Sequence, residues 1–113
     1  MDKIIDGVYL GDIRAAANLF LLKQHVSSKS IIVQRITHVL QVLSGLNPCF
    51  PTDFNYKVIH VMDVPWENLS KHFAAGNRFI KEATSNGGAV FVHCYAGVSR
   101  SAAMVIAYLM TEH

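Results

Sequence analysis

Several things are scarce in this chain. Charged residues are 16% of its 113 residues, and the formal net charge is +2 with the histidines neutral. The few basic residues are scattered, which argues against the clustered cationic surface that nucleic acid or an anionic membrane selects. Cysteine is limited to Cys49 and Cys94, too few for a disulfide framework. The thiols are therefore expected to be free, in a reducing cytoplasmic or nuclear setting. The longest uncharged apolar run, SAAMVIAYLM at 101–110, is far too short to span a bilayer. The opening stretch, MDKIIDGVYLGD, carries acids and no long apolar core, so no secretory signal is expected there. The histidines at 25, 38, 60, 72 and 113 lack ligand-like spacing, so no metal is expected. No repeat, low-complexity tract or linker is visible.

What is abundant is apolar surface. Hydrophobic residues make up 51%, a core-forming composition that at this length suggests one small domain over residues 1–113. The stretch 3–12 reads as a hairpin turning at Asp6-Gly7. Residues 12–25 read as a helix capped by Asp12, with Ile13, Ala16, Ala17, Phe20 and Leu21 on one stripe. The following 26–35 reads as a loop with strand character at Ile31 to Val33. Residues 36–43 and 56–61 read as strands, joined by the turn-rich 44–55. Residues 69–85 form a helical pattern on Leu69, Phe73, Gly76, Phe79, Ile80 and Ala83, stopped by Asn86-Gly87-Gly88. An apolar strand at 89–93 follows, then a helix from Ser99 to about Met110. Strand–helix–strand at this spacing is a βαβ unit, so 56–61 and 89–93 are expected to run parallel. The expected fold is α/β, a central and mostly parallel sheet flanked by helices. Ligands of such sheets bind beyond the carboxyl ends of the strands. Two segments arrive there, MDVPWEN (62–68) and CYAGVSR (94–100).

The second segment holds unusual chemistry. A short turn between a strand and a helix presents backbone N–H groups to an anion, joined by the unpaired N–H groups of the helix's first turn. Residues Tyr95, Ala96, Gly97, Val98 and Ser99 would supply that cradle, and Gly97 opens backbone conformations closed to other residues. Arg100 can close it with a planar fork matched to two phosphate oxygens. Cys94, at the bottom, would be favoured as the thiolate by the same positive groups. A thiolate beneath a bound phosphate is placed for in-line attack on phosphorus. His93 would orient the loop through hydrogen bonds. Asp63 is the best-placed acid for the leaving oxygen, with Glu67 the second choice. Asp53 falls at the opposite sheet edge, and Asp6 and Asp12 are far upstream. Ser101 has a hydroxyl that could donate to the sulfur. Cys49 reads as structural.

The stretch HCYAGVSRS (93–101) resembles the signature of the protein tyrosine phosphatase superfamily: His-Cys, five residues, Arg, then Ser or Thr. Its ending, AGVSRS, resembles the dual-specificity phosphatases in particular. IIDGVYLGDIRAA, ITHVLQV and VIHVMDVPWENLSKHF resemble other parts of that family's domain. The resemblance implies Cys94 as nucleophile, Arg100 as phosphate clamp, Asp63 as general acid and Ser101 as the hydroxyl aiding turnover. It implies no metal or other cofactor, and phosphoprotein substrates carrying phosphoserine, phosphothreonine or phosphotyrosine. The uncharged Tyr95, Ala96 and Val98 disfavour a polyanionic lipid. No long segment resembles the phosphotyrosine-recognition loop of tyrosine-only enzymes. The alternatives are a phosphoprotein-binding module without turnover, and a phosphatase for a non-protein phosphoester. Domains of the family usually continue with two further helices past the point where this sequence stops. The helix at 101–110, apolar nearly all round, is therefore expected to leave one face bare, through which the chain could self-associate. Either the chain is a fragment or a partner is expected to cover that face.

Overall fold

The computed structural model describes residues 2–18, 36–61, 68–95 and 99–112. The hairpin forms where the Asp6-Gly7 pair puts it. Strand β1 (Asp2–Ile5) runs antiparallel to β2 (Val8–Gly11), with Asp2 opposite Leu10 and Ile5 opposite Val8. Gly7 makes the turn at φ 87°, a conformation that costs a side-chain-bearing residue dearly. Asp12 then caps the next helix, α1, helical over residues 13–18. Its Oδ1 accepts from the Arg14 and Ala15 N–H groups at 3.0 and 3.1 Å. Of the expected stripe, Ala16 is buried but Ala17 is exposed. Phe20, Leu21 and the whole of 26–35 lie outside the described residues.

The other strands are β3 (His38–Val42), β4 (Asn55–Ile59) and β5 (Val90–His93). The sheet order is β1-β2-β5-β3-β4, parallel throughout except for the hairpin. The βαβ unit is present, and β4 and β5 do run parallel. They are not neighbours, however, because β3 lies between them. Thr37 locks that arrangement. Its N–H and that of His38 both donate to the Ala89 carbonyl, and its hydroxyl accepts from the Ala89 N–H at 3.1 Å. On the far side of β5, the Val90 N–H donates to the Gly7 carbonyl at 2.8 Å.

Between β4 and β5 the chain forms a 3₁₀ turn (Leu69–His72) and α2 (Phe73–Ser85). Asn68 caps the turn through the Ser70 N–H. Gly76, Ile80 and Ala83 of α2 are buried, spaced at four and three residues as one helix face requires. Gly87, at φ 78°, ends the helix in the left-handed region. After β5 comes α3 (Ser99–Glu112), which buries Ser101, Met104, Val105 and Tyr108.

Both sheet faces are covered, which is why the strands read as nearly continuous apolar runs. One core layer sets Val8, Leu40, Val42, Val90 and Val92 against Ile80 of α2 and Met104 and Val105 of α3. The other sets Tyr9, Val39 and Phe91 against Ala16 of α1 and Phe54 of the 44–55 connection. On α3, Ile106 is 55% and Met110 81% exposed. With Phe73, Ala103 and Ala107 they line an open apolar groove between α2 and α3.

Gly11 matters for space. A Cβ there would lie 2.7 Å from the Phe91 ring, which is fully buried and cannot swing away. Gly11→Ala is therefore expected to destabilise the chain by about 1–3 kcal/mol, read as a lowered urea midpoint. A wild-type midpoint would show that the Phe91 layer yields.

Candidate active site

The alternation of β5 decides which face each of its residues serves. Val90, Val92 and Cys94 belong to the layer beneath α2 and α3, while Ala89 and Phe91 belong to the opposite layer. His93 joins the second set: its ring stacks on Phe91, centroids 5.5 Å apart and 15° between planes. The parallel register holds His93 level with Gly11 of β2 and Gln41 of β3. Cys94 thus leaves the carboxyl end of the central strand, aimed to the side where α3 begins. After β2 the chain turns to α1 on one face, and after β5 it turns to α3 on the other. The crevice between such diverging connections is where α/β sheets bind ligands.

Cys94 is 3% exposed and Ser101 is fully buried. Their side chains meet, Sγ to Oγ, at 3.5 Å. Ser101 is the third residue of α3, so the sulfur sits at the helix end where unpaired N–H groups and the helix dipole favour negative charge. The hydroxyl is within reach to donate to the sulfur if the sulfur is ionised. Arg100 lies half-buried in the same turn, Ser99 is exposed at its start, and Tyr95 is 65% exposed. Ala96, Gly97 and Val98, expected to complete the cradle, lie outside the described residues. So do Asp63, Trp66 and Glu67; β4 delivers the chain toward them through the buried Val61.

His93 holds the strand end together. Its Nδ1–H donates to the Cys94 carbonyl at 3.3 Å, which fixes the tautomer. Nε2 is buried and has no hydrogen-bond partner among the described residues. Burial pushes the imidazole below its ordinary range; the Cys94 carbonyl and the Asp12 carboxylate oppose this more weakly. A neutral ring is unsuited to being a permanent cation beside Cys94.

Asp12 is far upstream in sequence, yet the fold carries it to this edge. It follows Gly11, which pairs with His93. Its carboxylate is held low by the Ala15 N–H first, with Arg14 adding to the effect. The Arg14 guanidinium is 3.7 Å away. A carboxylate so committed resists protonation and makes a poor proton donor. Asp53 is at the opposite edge, before β4 in a cleft with Thr37, Pro51 and Thr52. Cys49 is exposed rather than a core thiol. Among the described residues no group of three His, Cys, Asp or Glu could hold a metal.

His93 gives stability a pH dependence with a definite sign. The unfolded chain takes up this proton near the ordinary histidine value of 6.5, and the fold resists it. Stability is therefore complete above that value and falls as pH drops below it. His93→Asn is expected to flatten the fall in urea midpoint between about pH 7 and about pH 5. His38, also pushed down by burial, contributes in the same direction. An unchanged slope in the variant would contradict a buried neutral His93.

Comparison with known proteins bears on this geometry. Residues 19–113 match the model for the dual specificity phosphatase catalytic domain. The chain is 44% identical over 110 residues to dual specificity protein phosphatase 1 of Arabidopsis thaliana, covering 97% of this chain and 51% of that protein. It is 45% identical over 111 residues to dual specificity protein phosphatase 22-A of Danio rerio, covering 98% and 49%. The chain thus spans about half the length of these curated relatives. A crystal structure of DUSP15 superposes with TM-score 0.82 at 35% identity, over 98% of this chain and 65% of that one. A human tyrosine phosphatase-like serine/threonine/tyrosine-interacting protein superposes with TM-score 0.81 at 34% identity, over 99% and 73%. The signature around Cys94, the doubly covered sheet beneath it and these matches agree: the chain belongs to the dual specificity phosphatase family.

Proposed function

We propose that this chain hydrolyses phosphate monoesters of proteins through a cysteinyl-phosphate intermediate, with no metal in the scheme. The observation that carries the reading is the meeting of Cys94 Sγ and Ser101 Oγ at 3.5 Å, in the first turn of a helix beyond the central strand. In the first step the Cys94 thiolate attacks phosphorus, and an S–P bond forms as the P–O bond to the substrate breaks. Asp63 protonates the departing oxygen. Arg100 and the amides of residues 95 to 99 hold the equatorial oxygens, where negative charge gathers. In the second step water attacks the thiophosphate and gives its proton to the Asp63 carboxylate. The S–P bond breaks, and the Ser101 hydroxyl donates to the sulfur as it regains its charge. The relatives' names support both phosphoserine/threonine and phosphotyrosine as substrates.

A second reading is binding of phosphoproteins without cleavage. Its support is the structural relative described as tyrosine phosphatase-like and as an interacting protein. Against it stands the full set Cys94, Arg100, Ser101 and Asp63 in this sequence, since a binding module has no need of a nucleophile or an acid.

The test is an aryl phosphate assay with chelator and reductant present. The wild-type chain is expected to turn over and Cys94→Ser to show none. Asp63→Ala is expected to lose about 10²–10⁴-fold in kcat. Ser101→Ala is expected to show a burst of the first product followed by slow turnover, because it weakens departure of the thiolate. An inactive wild-type chain that still binds phosphopeptides would establish the second reading. Activity in Cys94→Ser would end the first.

A further inference from the structure

We infer that two copies of this chain pair through α3, the two helices lying antiparallel about a two-fold axis between Ile106 and Ala107. The helix carries two stripes of the same spacing. Ser101, Met104, Val105 and Tyr108, at i, i+3, i+4 and i+7, are buried. Ala103, Ile106, Ala107 and Met110 repeat that spacing two residues further on and line the open groove against α2. Ile106 and Met110 are exposed there, and the two alanines are half-buried. None of the four is polar. Thr111, at the end of the groove, commits its hydroxyl to its own chain. It donates to the Ala107 carbonyl at 3.0 Å and accepts from Asn77 Nδ2 at 3.3 Å. The charged residues of α3 are Arg100 and Glu112, near its two ends, and Glu112 pairs with Lys81 of α2 at 3.3 Å. The outer stripe can therefore leave water without stripping a charge.

The order of sizes along this stripe points to a second copy as its occupant. About the midpoint between 106 and 107, position 103 exchanges with 110 and position 106 with 107. Large side chains then meet small ones: Met110 of one copy comes opposite Ala103 of the other, and Ile106 opposite Ala107. A two-fold interface requires such self-complementarity, because every contact in it occurs twice. Alanine at two of the four positions lets the helices approach closely. The large side chains of each copy can then enter the other's groove, which offers about 450 Å³. Charge favours the same arrangement. Antiparallel packing brings the C-terminal turn of each helix, with Glu112, toward the positive N-terminal end of the other, with Arg100. The face is small, however. The 14 residues of α3 make a helix about 21 Å long. A seam of that length, one helix wide, covers well under the roughly 800 Å² per partner of a standard interface. The dimer is therefore expected to be weak and to form as concentration rises.

The experiment is sedimentation velocity on the whole chain, with reductant present, from about 10 to about 500 μM. The wild-type chain is expected to pass from monomer to dimer across that range. Ala103→Glu and Met110→Lys each place a charge in the seam. Each alone is expected to raise the dimer Kd by about tenfold or more. Mixed in equal amounts, the two variants are expected to return within about threefold of wild type, since in the mixed pair glutamate meets lysine and Met110 still meets Ala103. Neither position is buried, so both variants keep the fold, and the wild-type series needs no variant. A wild-type monomer at every concentration would overturn the pairing and leave the groove to another occupant. A dimer that neither variant weakens would place the contact elsewhere and overturn it too. So would failure of the mixture to restore the dimer, which would reduce the association to non-specific adhesion of an apolar surface.

Discussion

The strand Val90–His93, clamped between β2 and β3, is the constraint on which the rest depends. Parallel pairing on both sides sets its height, and burial on both faces sets its rotation. A slip of one residue would reverse its alternation and send Cys94 into the α1 layer and His93 beneath α3. With the register as it is, the Cys94 thiol, the His93 imidazole and the first turn of α3 come together at one point. The core therefore does more than hold the chain compact. Phe91 stacks under His93, Thr37 ties Ala89 to β3, and Gly11 leaves room for the Phe91 ring. Each fixes the line along which Cys94 leaves the sheet.

Electrostatics at that point comes from few parts. Asp12, the carboxylate the fold places at this edge, is turned to the amides of α1 and to Arg14. Its negative charge is spent on the start of α1. His93 adds no permanent charge because burial keeps it neutral. The first turn of α3, which Ser101 brings to the sulfur, is the positive helix end at this point.

Much of this was legible from local pattern. Asp6-Gly7 announced the hairpin, Asp12 the start of α1, and Asn86-Gly87 the end of α2, because each acts through backbone geometry within a few residues. The link between Cys94 and Ser101 was legible for the same reason, since seven residues of strand end, loop and first helical turn bring them back together. The apolar run after Ser99 gave away the bare face at Ile106 and Met110. Non-local facts were not legible. Nothing in residues 56–93 says that β3 inserts between β4 and β5, and only the strand order puts Asp12 beside His93. Ala17 fell on the expected stripe but faces out, since alanine carries too little apolar area to define a face.

The central claim is that the sulfur of Cys94 itself takes the phosphoryl group. The most direct measurement is to mix the chain with an aryl phosphate, quench in acid during the first turnover, and map the phosphoryl group by peptide mass. The account predicts one phosphoryl group on the peptide containing Cys94, carried by its sulfur. A chain that turns over substrate with the phosphoryl group on another residue, or on none, would contradict it.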